Sequence, residues 1–295
     1  MKYHQIITTL TAEPLLITPA TAISLFRLFE RHAEGKDHVL AALPTTSEVW
    51  AAALDPIAQR EGTGMCGEKV ELAQMEIEDG IAHIPIGGPV GRGLGSMEKG
   101  AGAVDVDDVA EELDQAEESD EVRAIILDID SPGGMVSGTP ELADRIAAVQ
   151  KPIYSFSGGL IASAAYWLAS ATDAIFATKS ADIGSIGVYI PWADFSEAYA
   201  KEGVKIELFT SGKYKGMGFP GTSLSAEQRG LLKDRVIDIA NMFYAHVQAN
   251  RPDVQDESMQ GQTFKADKAR DLGLIDEVVR DKGEVVDLLS SYSGE

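Results

Sequence analysis

The sequence predicts an α/β protein. Two observations carry that reading. From Val104 onward, stretches with helical spacing alternate with short β-branched runs. Two of those runs lead into Gly-Gly turns, at 133–134 and 158–159. Such alternation argues for a sheet with right-handed helical crossovers.

The elements follow in order. TPATAISLFRLFERHAEG (18–35) spaces Ile23, Leu25, Phe26 and Leu28 close to a helical repeat and ends in glycine, and a second helix is expected over 46–60. EGTGMCGEK (61–69) reads as a linker. VELAQMEI and GIAHIPI then alternate apolar with polar residues around Asp79-Gly80, which predicts a hairpin. GGPVGRGLGSMEKGAGA (87–103) holds seven glycines in 17 residues and has no apolar period, so a mobile loop is expected.

DVDDVAEELDQAEES should be a helix with acidic residues in its first turn, and VRAIILDID a strand. ELADRIAAVQ, ASAAYWLASA and FSEAYAKEG are expected as helices; KPIYSFS, IFAT, IGVYI and KIELFT are expected as strands. SAEQRGLLKDRVIDIANMFYAHVQAN (225–250) is a long helix suited to crossing the sheet or meeting another subunit, and ADKARDLGLIDEVV closes with a short helix and strand. Three segments result: 1–70, a helical preface and linker; 71–280, the main domain; and 281–295, a C-terminal tail.

Composition narrows the function. The 295 residues, 44% of them hydrophobic, suffice for a substantial core. Acidic residues outnumber basic ones 47 to 25, a net charge of −22, which repels nucleic acid and anionic membrane surfaces. Cys66 is the one cysteine, so there is no intramolecular disulfide and no zinc site built on several thiolates, and a reducing compartment fits. Thr, Glu13 and Pro14 interrupt the apolar residues of the N-terminus, which therefore lacks the core of an export signal. The most apolar window, 161–177, falls short of a bilayer span. No membrane anchor is expected, and the cytoplasm is the expected location.

The chemistry centres on GGLIASAAYWLAS (158–170). Ser163 sits among alanines where a glycine turn feeds an apolar helix, and burying an unpaired hydroxyl there is unfavourable. It is either a satisfied structural residue or a nucleophile. None of the five histidines (4, 32, 38, 83, 246) lies between 84 and 245, which disfavours a Ser-His-Asp triad, and His246 on the long helix reads as a surface or packing residue. The other base used with serine is a neutral lysine. TSGKYKGMGFPG (210–221) offers Lys213 and Lys215, which composition alone would leave as solvated loop residues. DIDSPGGMVSG (128–138) supplies a strand end and a Gly-Gly turn whose N–H groups could hold an oxyanion, with the N–H of Ala164 as a second donor. Asp128 and Asp130 allow a metal reading, but one Asp-x-Asp at a strand end more often meets solvent or caps a turn. Neither metal nor cofactor is expected.

The ordered set IILDIDSPGGMVSG, GGLIASAAYWLAS, IGSIGVY, TSGKYKG and GQTFKADKARDLGLIDEV resembles the S49 serine peptidases, the signal-peptide-peptidase-A family with the ClpP/crotonase fold of repeated β-β-α units. The likeness spans roughly 80–280. The preface AEPLLITPATAISLF further resembles the capsid-assembly proteases of tailed phages. The resemblance implies Ser163 as nucleophile and Lys215 as general base, with Lys213 as fallback. It implies an oxyanion hole from Gly134, or else Gly133, together with Ala164, and a supporting role for Ser185 in orienting the lysine. It also implies a polypeptide substrate held as an added strand and assembly as a homo-oligomer.

Three departures stand out. Ala164-Ala165 replaces the Gly-Gly found after the nucleophile in many members, a change expected to narrow the cleft. The membrane anchor of the bacterial enzymes is missing. The scaffold-like extension of the phage branch is absent before Glu295, so the scaffold is expected as a separate product or in a longer chain. Signal-peptide-peptidase-like peptide degradation, a crotonase-like acyl-CoA enzyme and an inactive scaffold component are the alternatives.

Overall fold

The computed structural model describes residues 15–17, 62–63, 69–70, 74–192 and 194–292. The two helices expected within 18–60 lie outside these residues.

The described residues begin with β1 (Leu15–Ile17) and the small β2 (Gly62–Thr63) and β3 (Lys69–Val70) pair. β4 (Glu76–Glu78) and β5 (Ile81–Gly87) form the expected hairpin. Its two turn residues, Asp79 and Gly80, are both left-handed (φ 48° and 75°), as the twist of a two-residue hairpin requires.

The stretch expected as a mobile glycine loop is instead structured. It contains β6 (Val90–Gly91), α1 (Ser96–Gly100) and β7 (Val104–Asp105). Two-residue strands carry no periodicity in sequence, and these are fixed by pairing: Val90 with both Val104 and Gly134. Asp105 then caps α2 (Val106–Glu118), accepting the Asp107 N–H, with Asp107 and Asp108 in the first turn where carboxylates are favoured.

Two repeats of strand, short strand and helix follow. The first is β8 (Ala124–Asp130), β9 (Gly133–Met135) and α3 (Thr139–Ala148). The second is β10 (Ile153–Ser157), β11 (Leu160–Ala162) and α4 (Ala164–Ala169). β12 (Ala174–Thr178) and β13 (Asp182–Gly184) begin another turn of the same pattern. α5 (Ser196–Lys201), α6 (Ala226–Asn250), β14 (Thr263–Lys265), α7 (Ala266–Asp271), β15 (Glu277–Val279) and α8 (Lys282–Tyr292) complete the chain.

The long strands form a six-stranded sheet in the order β15-β12-β10-β8-β5-β4, parallel except for the β4 edge. The short ones form two accessory sheets, β1-β9-β6-β7 and β11-β13-β14. Alternate residues of β8 serve the two faces of the main sheet. Ile125, Leu127 and Ile129 join the larger core with α2, α3 and α4; Ala124 and Ile126 join a smaller one with Val285 and Leu289 of α8. The stretch expected as a tail at 281–295 therefore holds a packed helix. Val285 and Leu289, four residues apart, make its buried stripe, and the Lys282 amine reaches Asp128 at 2.9 Å.

Two expected strands are absent. IGVYI forms no ladder strand; the strand here is β13, just upstream. KIELFT (205–210) is not a strand either: its residues are mostly exposed and pair with no other strand, and β-propensity without a partner does not make one. Around it, Phe195, Val204, Leu208, Phe209 and Phe219 are exposed, Phe209 at 94%. α6 is capped by a reciprocal Ser225/Gln228 box, yet buries only Ala240, Phe243 and Val247.

Candidate active site

The turn from β10 into β11 is built by hydrogen bonds from its own and neighbouring strands. Ser157 Oγ accepts the Gly159 N–H (3.1 Å), and Asp130 Oδ1, at the end of β8, accepts the Leu160 N–H (3.0 Å). A Cβ at Gly159 would lie 2.5 Å from that carboxylate oxygen, so glycine is the residue that lets strand end and turn meet. Burial, more than nearby Asp128, raises the Asp130 pKa against the opposing Leu160 bond.

β11 is then clasped on both sides. Ser131 donates its N–H to the Leu160 carbonyl (2.8 Å) and accepts the Ala162 N–H (3.1 Å), while β11 runs parallel to β13 with Ala162 opposite Gly184. Ser163 follows. Its N–H donates to the Gly184 carbonyl (2.8 Å) and its carbonyl accepts the Trp167 N–H (3.0 Å). With both backbone groups fixed, Ser163 is held at φ 56°, ψ −117°, a conformation disfavoured for any residue with a side chain and one that costs about 1–3 kcal/mol. It is 1% exposed, and its hydroxyl makes no capping bond to α4.

α4 is buried throughout, and its first N–H, that of Ala164, is one that a helix leaves without an internal partner. Ala164 and Ala165 both lie in the main core, so the methyl expected to narrow the cleft is spent on packing at both positions.

The register of β11 and β13 brings Ser185 beside Ser163. Ser185 is also left-handed (φ 54°) and buried, and donates its N–H to the Gln262 carbonyl (2.7 Å). The SPGG turn arrives through Ser131. Its Oγ donates to the Gly88 carbonyl (2.6 Å) and accepts the Gly133 N–H (3.2 Å). That bond engages one of the two glycines expected to bind an oxyanion. Gly134 packs against β6 so closely that a Cβ would stand 1.8 Å from the Val90 carbonyl oxygen. The bracing role of Ser131 was missed in the sequence; its signal was a serine directly after a strand and before Pro-Gly-Gly.

The lysines stand apart from this cluster. Lys215 lies in an exposed turn, its N–H bonded to the Gly212 carbonyl, and no hydrogen bond joins it to Ser163. Lys213 sits 4.9 Å over the Tyr214 ring and pairs with Glu227; Tyr214 first and Glu227 second raise its pKa, the opposite of what a base needs. The Gln228 side chain fastens this turn to the start of α6 by donating to the Lys213 carbonyl.

The other sequence candidates have structural partners. Asp128 pairs with Lys282 and Asp130 with the Leu160 N–H, and among the described residues no cluster of metal-ligating side chains occurs. His246 packs by Trp167, itself stacked on Phe243 at 4.5 Å. Burial lowers the pKa of His246, and also that of His83. Stability from the neutral imidazoles is therefore complete above about pH 6.5 and is lost as the pH falls below that value toward each lowered native pKa. The melting temperature should drop between pH 7 and pH 5.5, and His246→Gln, which does not titrate, should lessen that drop.

A family model described as Peptidase family S49 matches residues 145–290, and one described as Clp protease matches residues 101–183. The chain is 31% identical over 272 residues to the head-tail preconnector protein GP5 of Enterobacteria phage P21, covering 90% of this chain and 53% of that protein. It is 30% identical over 271 residues to the capsid assembly protease C of Escherichia phage lambda, covering 90% of this chain and 61% of that protein. It is 29% identical over 206 residues to the chloroplastic serine protease SPPA of Arabidopsis thaliana, covering 68% and 30%. The chain thus spans between half and two thirds of the two phage relatives. The repeated β-β-α architecture agrees with the Clp protease match and is ClpP/crotonase-like.

Proposed function

We propose, from the premise that this chain belongs to peptidase family S49, that it is a serine endopeptidase acting through Ser163 and Lys215. The observation that carries the reading is Ser163 itself. A buried serine is held left-handed by bonds to both its backbone groups, with its hydroxyl left out of the helix cap. Strain of that kind persists only where the surroundings enforce it, and it is characteristic of reaction centres.

In this reading the neutral Lys215 amine takes the Ser163 Oγ proton as Oγ bonds to the substrate carbonyl carbon. The N–H groups of Gly134 and Ala164 hold the resulting oxyanion, Gly133 being engaged by Ser131. Lys215 passes the proton to the leaving nitrogen as the C–N bond breaks. Water, deprotonated by the same amine, then releases the acyl group and restores Ser163. Ser185 orients the amine as a positioning residue.

Lys215 must come to Ser163 for this to run. The exposed apolar side chains around its turn, Phe195, Phe209 and Phe219 among them, support a homo-oligomer in which they are covered and the lysine is brought in. The names of the two phage relatives support a substrate among the proteins of phage head assembly, such as a scaffold or capsid protein. The chemistry would then run in the host cytoplasm or inside a procapsid. No helix among the described residues is long and apolar enough to cross a membrane, so nothing in them favours intramembrane signal-peptide degradation.

The test is prolonged incubation with a small alkyl fluorophosphonate, followed by intact mass spectrometry. One adduct is expected on Ser163, none in Ser163→Ala, and a rate lower by about 100-fold or more in Lys215→Ala with its melting temperature unchanged. A folded wild-type protein that forms no adduct in any oligomeric state overturns the proposal. A crotonase-like acyl-CoA enzyme, which needs no activated serine, would give that result.

A further inference from the structure

β9 is an inner strand of one accessory sheet, and its two edges are differently occupied. On one side lies β6; on the other lies β1, from the far N-terminal part of the same chain. The β1 pairing is antiparallel, with Leu15 opposite Met135, Leu16 opposite Gly134 and Ile17 opposite Gly133. Without β1, the glycine strand would show an open edge of backbone N–H and C=O groups, the surface to which an extended peptide adds as a strand.

That edge leads to the nucleophile. β9 follows Ser131, and Ser131 is bonded to Leu160 and Ala162 on the approach to Ser163. The direction of β1 also matters. It runs from Met135 toward Gly133, so its C-terminal residue lies at the end of β9 nearer Ser131 and the serine. A polypeptide cut at Ser163 must present a carbonyl with its acyl side N-terminal to it, which is the polarity β1 adopts.

We infer that Leu15–Ile17 is a resident occupant of the substrate slot, an autoinhibitory strand that a substrate must displace from β9. This rests on the reading of Ser163 as the nucleophile. The occupant is made to be displaced. It pairs over three residues only, and in sequence Pro14 and Pro19 bracket Leu-Leu-Ile-Thr with residues that have no N–H to extend a ladder. Its composition also indicates what the slot accepts: an extended, apolar, partly β-branched segment.

The experiment compares the full-length wild type with full-length Leu16→Pro and Leu16→Asp, each checked for folding by thermal melting. Two probes are used. A small alkyl fluorophosphonate reports the serine, and a fluorophosphonate bearing a Leu-Leu peptide reports the slot. The peptidyl probe is expected to label Ser163 at least about fivefold faster in both variants, and a synthetic peptide of residues 13–19, but not its scrambled form, should slow the variants back toward wild type. Equal peptidyl rates in all three folded proteins, with Ser163 still labelled by the small probe, overturn the inference and leave the peptidase reading intact. No reaction of Ser163 with the small probe in any of them overturns both.

Discussion

Replacing Ser163 is expected to abolish peptide turnover, by a factor on the order of 10⁴–10⁶, and the choice of replacement separates chemistry from fold. Alanine removes the hydroxyl but retains a side chain at φ 56°, so its melting temperature should stay near wild type. Glycine also removes the hydroxyl but relieves the backbone. The relief is about 1–3 kcal/mol, offset by about 0.5–1 kcal/mol for the greater freedom glycine gives the unfolded chain. The Ser163→Gly protein should therefore melt a few degrees higher than wild type while being inactive. Differential scanning calorimetry beside a turnover assay reads both quantities. A Ser163→Gly protein that melts well below wild type would mean that the left-handed serine stores no strain.

The second large effect is at Gly134. A methyl there would stand 1.8 Å from the Val90 carbonyl oxygen, with the Val90 nitrogen at 2.6 Å, and neither is the end of a flexible side chain. β9 and β6 would have to part. Gly134→Ala should cost about 3 kcal/mol or more in urea unfolding, because overpacking against backbone cannot be relieved by a rotamer change. What remains folded should also be slow, since the displaced strand carries the proposed oxyanion donor. Gly158→Ala is the control: it lies in the neighbouring glycine turn, has no atom within 4 Å of the added Cβ, and should be within about 0.5 kcal/mol of wild type.

How far the sequence could be read depended on whether a feature was local. The hairpin at Asp79-Gly80, the helix with acidic residues in its first turn after Asp105 and the long helix from Ser225 each arise from patterns within one stretch of chain, and each was legible. The β-branched run of β8 was legible because burial on both faces demands such a run. KIELFT misled for the converse reason: the composition of a strand without another strand to pair with. β6 and β7 were missed because two-residue strands exist only through their partners, and α8 was missed because its apolar stripe is just Val285 and Leu289. In the site, the serine and its glycine turns stood at recognisable spacings. The neighbourhood of Ser163 and Ser185 came only from the register of β11 on β13, and the lysine turn makes no hydrogen bond to Ser163 that a spacing could have revealed.

The double hold of Ser131 on β11 has a mechanical consequence. Its backbone bonds to Leu160 and Ala162, and its hydroxyl bonds to Gly88 and Gly133, make the strand that leads to Ser163 and the glycine strand one rigid joint. In the proposed reaction, attack and anion stabilisation cannot then be tuned separately by moving either piece, because a shift in one is transmitted to the other. Variation in the proposed substrate preference has to be sought along the edge of the glycine strand that β1 covers, where a change in the passing chain leaves the joint undisturbed.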